Sequence, residues 1–257
     1  MKILIAAHKP YQMPSSDIYE PIMVGAALHD KVIEGYTPDN TGQNMSDKNS
    51  FYNELTALYW AKYNLQDEDI LGLAHYRRYL GRKASHDLAD ILSEDDIREG
   101  LDEADILLPR QRNYFIETQE KHYLNAHVNE PYYAMREVLE EFYPDYVPAF
   151  DALGKSTKAH LFNMSVVRQD KFQAYTDFLF DVLGKVDERI DVAKYEGQDR
   201  RSLGFLAERL MDTWVNTQNL RVKEYPVVTT EKTNWLDKGT QFLKRKFIKN
   251  GERKVHF

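Results

Sequence analysis

Short apolar runs alternate with longer amphipathic ones along this chain, and that alternation limits the fold more than any other feature. "KILIAA" (residues 2–7), "ILGLAH" (70–75), "DILLP" (105–109), "KAHLFNMSVV" (158–167) and "LRVKEYPVV" (220–228) read as strands. Between them lie segments of helical period, such as "FYNELTALYWAKYNL", "KFQAYTDFLFDVL" and "LGFLAERLMDTWV". Strands interleaved with helices predict an α/β fold with a mixed, mostly parallel sheet flanked by helices. The 257 residues suffice for one large domain of this kind. No internal repeat or low-complexity tract interrupts it.

Finer expectations follow from caps and breakers. "IMVGAALHD" reads as helix and "KVIEGY" as the second strand. Ser50 is the expected N-cap of one helix from Phe51 to Leu65. Ser93 with Asp96 has the spacing of a capping box, and Pro131 fits the first turn of a helix starting near Asn129. Asp170 is expected to cap a helix closing at Gly184.

Composition excludes several classes. The sequence has no cysteine, so disulfides, thiolate metal sites and cysteine nucleophiles are absent, as suits a reducing cytosol. The apolar run of "MKILIAAHKP" is too short for a signal peptide, and no stretch approaches the roughly 18 apolar residues of a membrane span. Residues 232–257 hold eight Lys/Arg against two Asp/Glu, or +6, which leaves −13 for the rest of a chain with formal net charge −7. So acidic a body argues against nucleic-acid binding. Neither GxGxxG nor GxxxxGK[ST] occurs, and GxSxG and HExxH are also missing. His122 and His127, five apart, do not share one helix face and are not a convincing metal pair.

The stretch "LGLAHYRRYL" then stands out. In such sheets ligands bind beyond the carboxyl ends of parallel strands. His8 and Lys9 after strand one, Asp39 and Asn40 after strand two, and the "HYRRY" run should therefore converge. Guanidinium groups stay charged and grip two phosphate oxygens at once, so Arg77 and Arg78 suit a diphosphate. A continuing strand would turn them to opposite faces and pair His75 with Arg77; only an ended strand lets both reach one ligand. A surface loop of helix-capping arginines is the competing reading.

Five blocks, "SDIYEPIMVGAA", "TGQNMSDKNSFYNELTALYWAKYN", "LGLAHYRRYL", "HLFNMSVVR" and "RSLGFLAERLMDTW", together resemble the bacterial capsular and exopolysaccharide biosynthesis glycosyltransferases marked by a HYRRY motif. The resemblance covers residues 2–216. It implies a GT-A-like, Rossmann-like domain over residues 1–228 and a nucleotide-sugar donor, expected to be UDP-linked and in some members UDP-galactofuranose. The implied acceptor is a glycan or a lipid-linked oligosaccharide in capsule, exopolysaccharide or O-antigen synthesis. The runner-up is a non-catalytic nucleotide-sugar or polysaccharide-binding component of the same pathway; a phosphotransferase has no phosphate loop to support it.

The resemblance also assigns roles. His8, Lys9, Asp17 and Tyr19 would line the nucleotide pocket. Asp39, Asn40, Asn44, Asp47 and Asn49 would hold ribose and sugar hydroxyls, although such residues also favour turns for local reasons. Where relatives of this fold carry an Asp-x-Asp metal motif, this chain has "HYRR". Arg77, with Arg78 or His75, would replace the ion, and Tyr76 would complete the donor site. Asp67–Asp69 spell Asp-x-Asp at the wrong end of their strand, so no cofactor is expected, although a divalent metal stays open. Glu208 is the first choice of general base for an inverting hexosyl transfer and Asp199 the second; a salt bridge from Glu208 to Arg201 or Arg209 is the alternative. The basic tail, residues 229–257, sets Trp235, Phe242 and Phe247 among lysines. It fits an amphipathic segment on an anionic membrane, which would make the protein cytoplasmic and peripheral at the inner face of the cell membrane.

Overall fold

The computed structural model describes residues 1–231, so the tail from residue 232 onward lies outside the described residues. In chain order the strands are β1 (Lys2–Ala7), β2 (Tyr19–Met23), β3 (Thr37–Pro38), β4 (Ile70–His75), β5 (Arg78–Leu80), β6 (Ile106–Pro109), β7 (Arg112–Asn113), β8 (Lys158–Ala159), β9 (Ser165–Arg168), β10 (Val222–Tyr225) and β11 (Val227–Thr229). The helices are α1 (Asn49–Tyr52), α2 (Leu55–Asn64), α3 (Glu94–Glu103), α4 (Gln119–Ala126), α5 (Glu130–Phe142), α6 (Val147–Lys155), α7 (Gln169–Arg189) and α8 (Ser202–Thr217).

A nine-stranded sheet runs in the order β10-β6-β9-β4-β1-β2-β3, with β5 and β11 paired off this path. Its ladders are parallel except around β9, which opposes both β4 and β6, and at the folded-back β5. Alternation along β1 sends Leu4 and Ala6 into the core under α2, α5, α7 and α8, while Ile3 and Ile5 enter a second core with Ile97 and Leu101 of α3. Both faces are therefore covered, which is why these strands are apolar throughout. Gly72 lets β4 lie against its neighbours, since a Cβ there would sit 2.8 Å from Ile3 Cδ1 and from the Ser165 carbonyl.

The capping box at Ser93 and Asp96 is formed, and α5 starts after Asn129 with Pro131 in its first turn. Other local expectations are corrected. "IMVGAALHD" supplies the end of β2, a left-handed Gly25 (φ 70°) and a 3-10 turn, because Ile22 and Met23 extend alongside β1. "KVIEGY" is exposed turn, with the edge strand β3 only beyond it. The expected single helix after Ser50 splits into α1 and α2 at Asn53 (φ 52°), capped at Lys48 and Glu54 instead. "KAHLFNMSVV" breaks into β8 and β9 at two left-handed residues, Phe162 (φ 80°) and Asn163 (φ 53°). Finally, α7 runs through Gly184 because Leu183 and Val186 continue its buried face; its N-cap is Arg168, with Asp170 in the first turn.

Asp39 is a structural fixture. Fully buried, it accepts hydrogen bonds from the Gly25 and Ala26 N–H groups (2.9 and 3.0 Å), from Thr56 Oγ1 (2.7 Å) and from Ser46 Oγ. It joins the end of β3 to α2 and the 3-10 turn. Asp39→Ala strands these buried donors and is expected to cost about 3 kcal/mol. Urea unfolding checks this: the midpoint should fall clearly below that of the unaltered chain.

Candidate active site

The "HYRR" run is a tight reversal. β4 ends at His75, Tyr76 and Arg77 form the turn, and Arg78 opens β5 opposite His75. The strand has thus ended before the arginines, and both line one cavity of about 440 Å³. Ala6 and His8 enter from the end of β1, Val24 from the end of β2, and Asn49, Asn53 and Glu54 from α1 and its junction with α2. Phe162 comes from the bend before β9. Gln198 and Arg201 come from a 3-10 turn, and Gly204, Phe205 and Glu208 from α8. The cavity therefore sits beyond the carboxyl ends of β1, β2 and β4, where this architecture places ligands.

Its cations are unequally paired. Arg77 forms an ion pair with Glu231 (2.7 Å) and lies 4.7 Å from the centre of the Tyr76 ring. Arg78 lies over Phe162, 4.5 Å from its centre, and donates no hydrogen bond among the described residues. Burial, then the charge of Arg77, lowers its pKa from the usual guanidinium value. Arg201 spends its Nε on Asn53 Oδ1 (2.7 Å); its terminal nitrogens make no hydrogen bond among the described residues. Arg78 is half-buried without an ion-paired partner, which is costly, and an anionic ligand relieves that cost. Burial, followed by Lys9 and Arg77, lowers the pKa of His8. Burial also lowers that of His75, whose Nε2 donates to the Phe162 carbonyl (2.5 Å). Tyr76, which lines the cavity with His8, stacks on Tyr11 behind it at 3.8 Å, with His8 edge-on at 5.3 Å.

Glu208 lies across the cavity. Its Oε1 accepts the Phe162 N–H (2.9 Å), and Arg209 is a loose partner at 3.4 Å. Burial raises its pKa, outweighing the charges of Arg209 and Arg78. The left-handed pair Phe162–Asn163 is held from several sides: Glu208 and His75 take the Phe162 backbone, while Asn163 Nδ2 donates to Glu54 Oε1 (2.8 Å) and to the Gly204 carbonyl (3.1 Å). A Cβ at Gly204 would sit 2.2 Å from Asn53 Nδ2, so that amide would have to move.

Of the residues singled out in the sequence, His8, Asn49, His75, Tyr76, Arg77, Arg78 and Glu208 meet at the cavity. The others do not line it. Lys9 lies outside on Tyr11, and Asp17, Asn40 and Asp47 are exposed. Tyr19 is buried in the second core and donates to the Leu92 carbonyl (2.8 Å). Asp39 caps backbone, as above, and Asn44 bonds within its own turn. Asp199 accepts the Val128 N–H (3.3 Å) and lies 3.2 Å from His127 Nδ1. The sequence reading missed Asn53, Glu54, Phe162, Gln198, Arg201, Gly204 and Phe205 as lining residues. One signal was present: Arg201, Gly204, Phe205 and Glu208 follow helical spacing on a face otherwise apolar.

The arginines of the cavity do not suit a resident divalent ion. Guanidinium groups occupy the end of β4 and cannot ligate a cation. Asp67–Asp69 lie before β4, at its opposite end. Asp69 is bonded to Arg98 (2.8 Å) and the Met1 amine, and Arg98 foremost brings its pKa down to about 2. Among the described residues, no group of three or more His, Asp or Glu side chains is arranged to hold a metal. His122 and His127 face different carboxylates, Glu117 and Asp199.

Residues 2–219 match a family described as a domain of unknown function, DUF4422. The chain belongs to that family. No curated protein matches this DUF4422 chain. Among solved structures, it is similar to the apo form of WbbM, a bifunctional glycosyltransferase, with 29% identity and a TM-score of 0.82. The match covers 90% of the DUF4422 chain but 45% of WbbM. The fold is accordingly the mixed α/β architecture expected from the alternation of elements, and GT-A-like as the resemblance implies.

Proposed function

We propose that the chain is a glycosyltransferase that takes a sugar from a nucleoside-diphosphate donor. One observation carries this reading: Arg77, Arg78 and Arg201 line a cavity beyond the parallel strands, opposite a buried carboxyl of raised pKa. The likeness to WbbM supports it, and the 45% span suits one of two activities. The HYRRY resemblance narrows the proposal to a UDP-linked hexose, galactofuranose among the candidates. It also points to a glycan or polyprenyl-linked acceptor in surface-polysaccharide synthesis at the cytoplasmic membrane face. No helix among the described residues is long and apolar enough to cross a membrane.

The chemistry then divides between two groups. Glu208, ionised, takes the proton of the acceptor hydroxyl as that oxygen bonds to the anomeric carbon. The anomeric C–O bond to phosphate breaks on the opposite side, and its electron pair leaves with the diphosphate. Arg77, Arg78 and Arg201 meet the growing negative charge, in a site where such stabilisation is often the largest catalytic contribution. The product has inverted configuration. His8 and Tyr76, the latter backed by Tyr11, offer an aromatic surface for the base.

A thermal-shift screen with UDP, GDP, CMP and their sugars tests the reading. One nucleoside diphosphate should raise the melting temperature, by ligand linkage, and its sugar should be hydrolysed or transferred. Glu231 makes a second check. Its pair with Arg77 is half exposed, so releasing the arginine with Glu231→Gln should tighten nucleoside diphosphate binding by up to about fivefold, as for an exposed pair. Calorimetric titration of both proteins measures this.

A further inference from the structure

Outside the cleft, the two-stranded ladder of β7 and β8 stands apart from the main sheet, and the loop that leaves β7 has an apolar tip. Phe115 is 80% exposed and Ile116 is 50% exposed. The tip is held in this posture. The Tyr114 N–H donates to the Thr157 carbonyl (2.9 Å) and the Phe115 N–H to Asn113 Oδ1 (2.8 Å). Beneath it, Tyr114 is buried with Leu153, Ala159 and Leu161, against Phe162. Phe115 itself adopts φ 55°, a conformation uncommon for a bulky residue. Such strain marks positions where presentation of a side chain matters more than local comfort.

The surroundings carry the opposite sign from the body. Stretches 110–121 and 155–158 contain Arg110, Arg112, Lys121, Lys155 and Lys158 against Glu117 and Glu120. Glu117 is engaged by His122 (3.1 Å) and Asn125 (3.2 Å). Lys158 pairs with Asn113 across the ladder, so it shares the face of the residue that fixes Phe115. A protruding Phe-Ile pair among lysines and arginines matches the layered chemistry of a bilayer surface, with acyl chains below anionic headgroups. We propose that this loop docks the protein on an anionic lipid bilayer. Because its underside packs on Phe162, a wall of the cavity, docking here sets the headgroup plane beside the cleft. The inference stands without the donor assignment and without the basic stretch beyond residue 231.

The absence of native cysteine makes a direct test possible. Full-length Phe115→Cys, labelled at its single thiol with an environment-sensitive fluorophore, is mixed with phosphatidylcholine vesicles with or without phosphatidylglycerol. A blue shift with the anionic vesicles is expected. In co-sedimentation, the double variant Phe115→Ser/Ile116→Ser should bind them about tenfold more weakly than the unaltered chain, with an unchanged melting temperature as the check on folding. No shift at position 115 with bound vesicles would place the contact elsewhere and overturn the proposal, as would failure of the unaltered chain to bind. A shift that grows with protein concentration, without lipid, would assign the tip to a second copy and overturn it too.

Discussion

Glu208→Gln is expected to lower turnover by about 10²–10⁴-fold, the usual contribution of a positioned base, while donor affinity stays near that of the unaltered protein. The amide keeps the shape and still accepts the Phe162 N–H through its oxygen, so the Phe162–Asn163 bend survives. What it loses is the carboxylate that takes the proton. The pH profile separates this role from a structural one. Burial raises the Glu208 pKa, and the active form is ionised. Turnover should therefore fall with acid through a limb lying above the ordinary glutamate value of about 4.3, and the residual rate of the glutamine variant should lack that limb. A folded variant with near-normal turnover would return Glu208 to a packing role beside Arg209.

Arg78→Ala is the second large effect, with a loss of about 10²–10³-fold in kcat, comparable to removing one preorganised donor to a developing anion. Nucleoside diphosphate binding should weaken with it, while binding of the bare nucleoside should barely change. The reason lies in its pairing: Arg77 has Glu231, whereas Arg78 has an aromatic face and no hydrogen-bond acceptor among the described residues. Arg78→Lys should recover part of the affinity but not the two-pronged grip. Single-turnover rates and titrations with nucleoside and nucleoside diphosphate read the three quantities.

The sequence exposed the arginine turn because charged residues at the end of an apolar strand are out of place unless something outside the strand uses them. The sheet was legible for the complementary reason: β1 and β4 are buried on both faces and have no polar alternation to obscure them. Asp39 shows where such reading stops. An aspartate in a polar loop after a strand has the same letters whether it binds a hydroxyl or caps backbone; only its burial and four donors decide. The bend at Phe162 and Asn163 left no trace either, since neither residue announces a left-handed backbone as glycine does. Arg201 was read as a salt-bridge partner of Glu208 because its actual partner, Asn53, is distant in sequence.

The account rests on guanidinium charge holding the diphosphate that a divalent ion holds in other enzymes of this fold. Calorimetric titration of nucleoside diphosphate in EDTA, into the unaltered protein and into Arg78→Ala, addresses it most directly. Tight binding without metal, unimproved by manganese and lost in the variant, is the predicted result. Binding that needs manganese and is indifferent to Arg78 would contradict it.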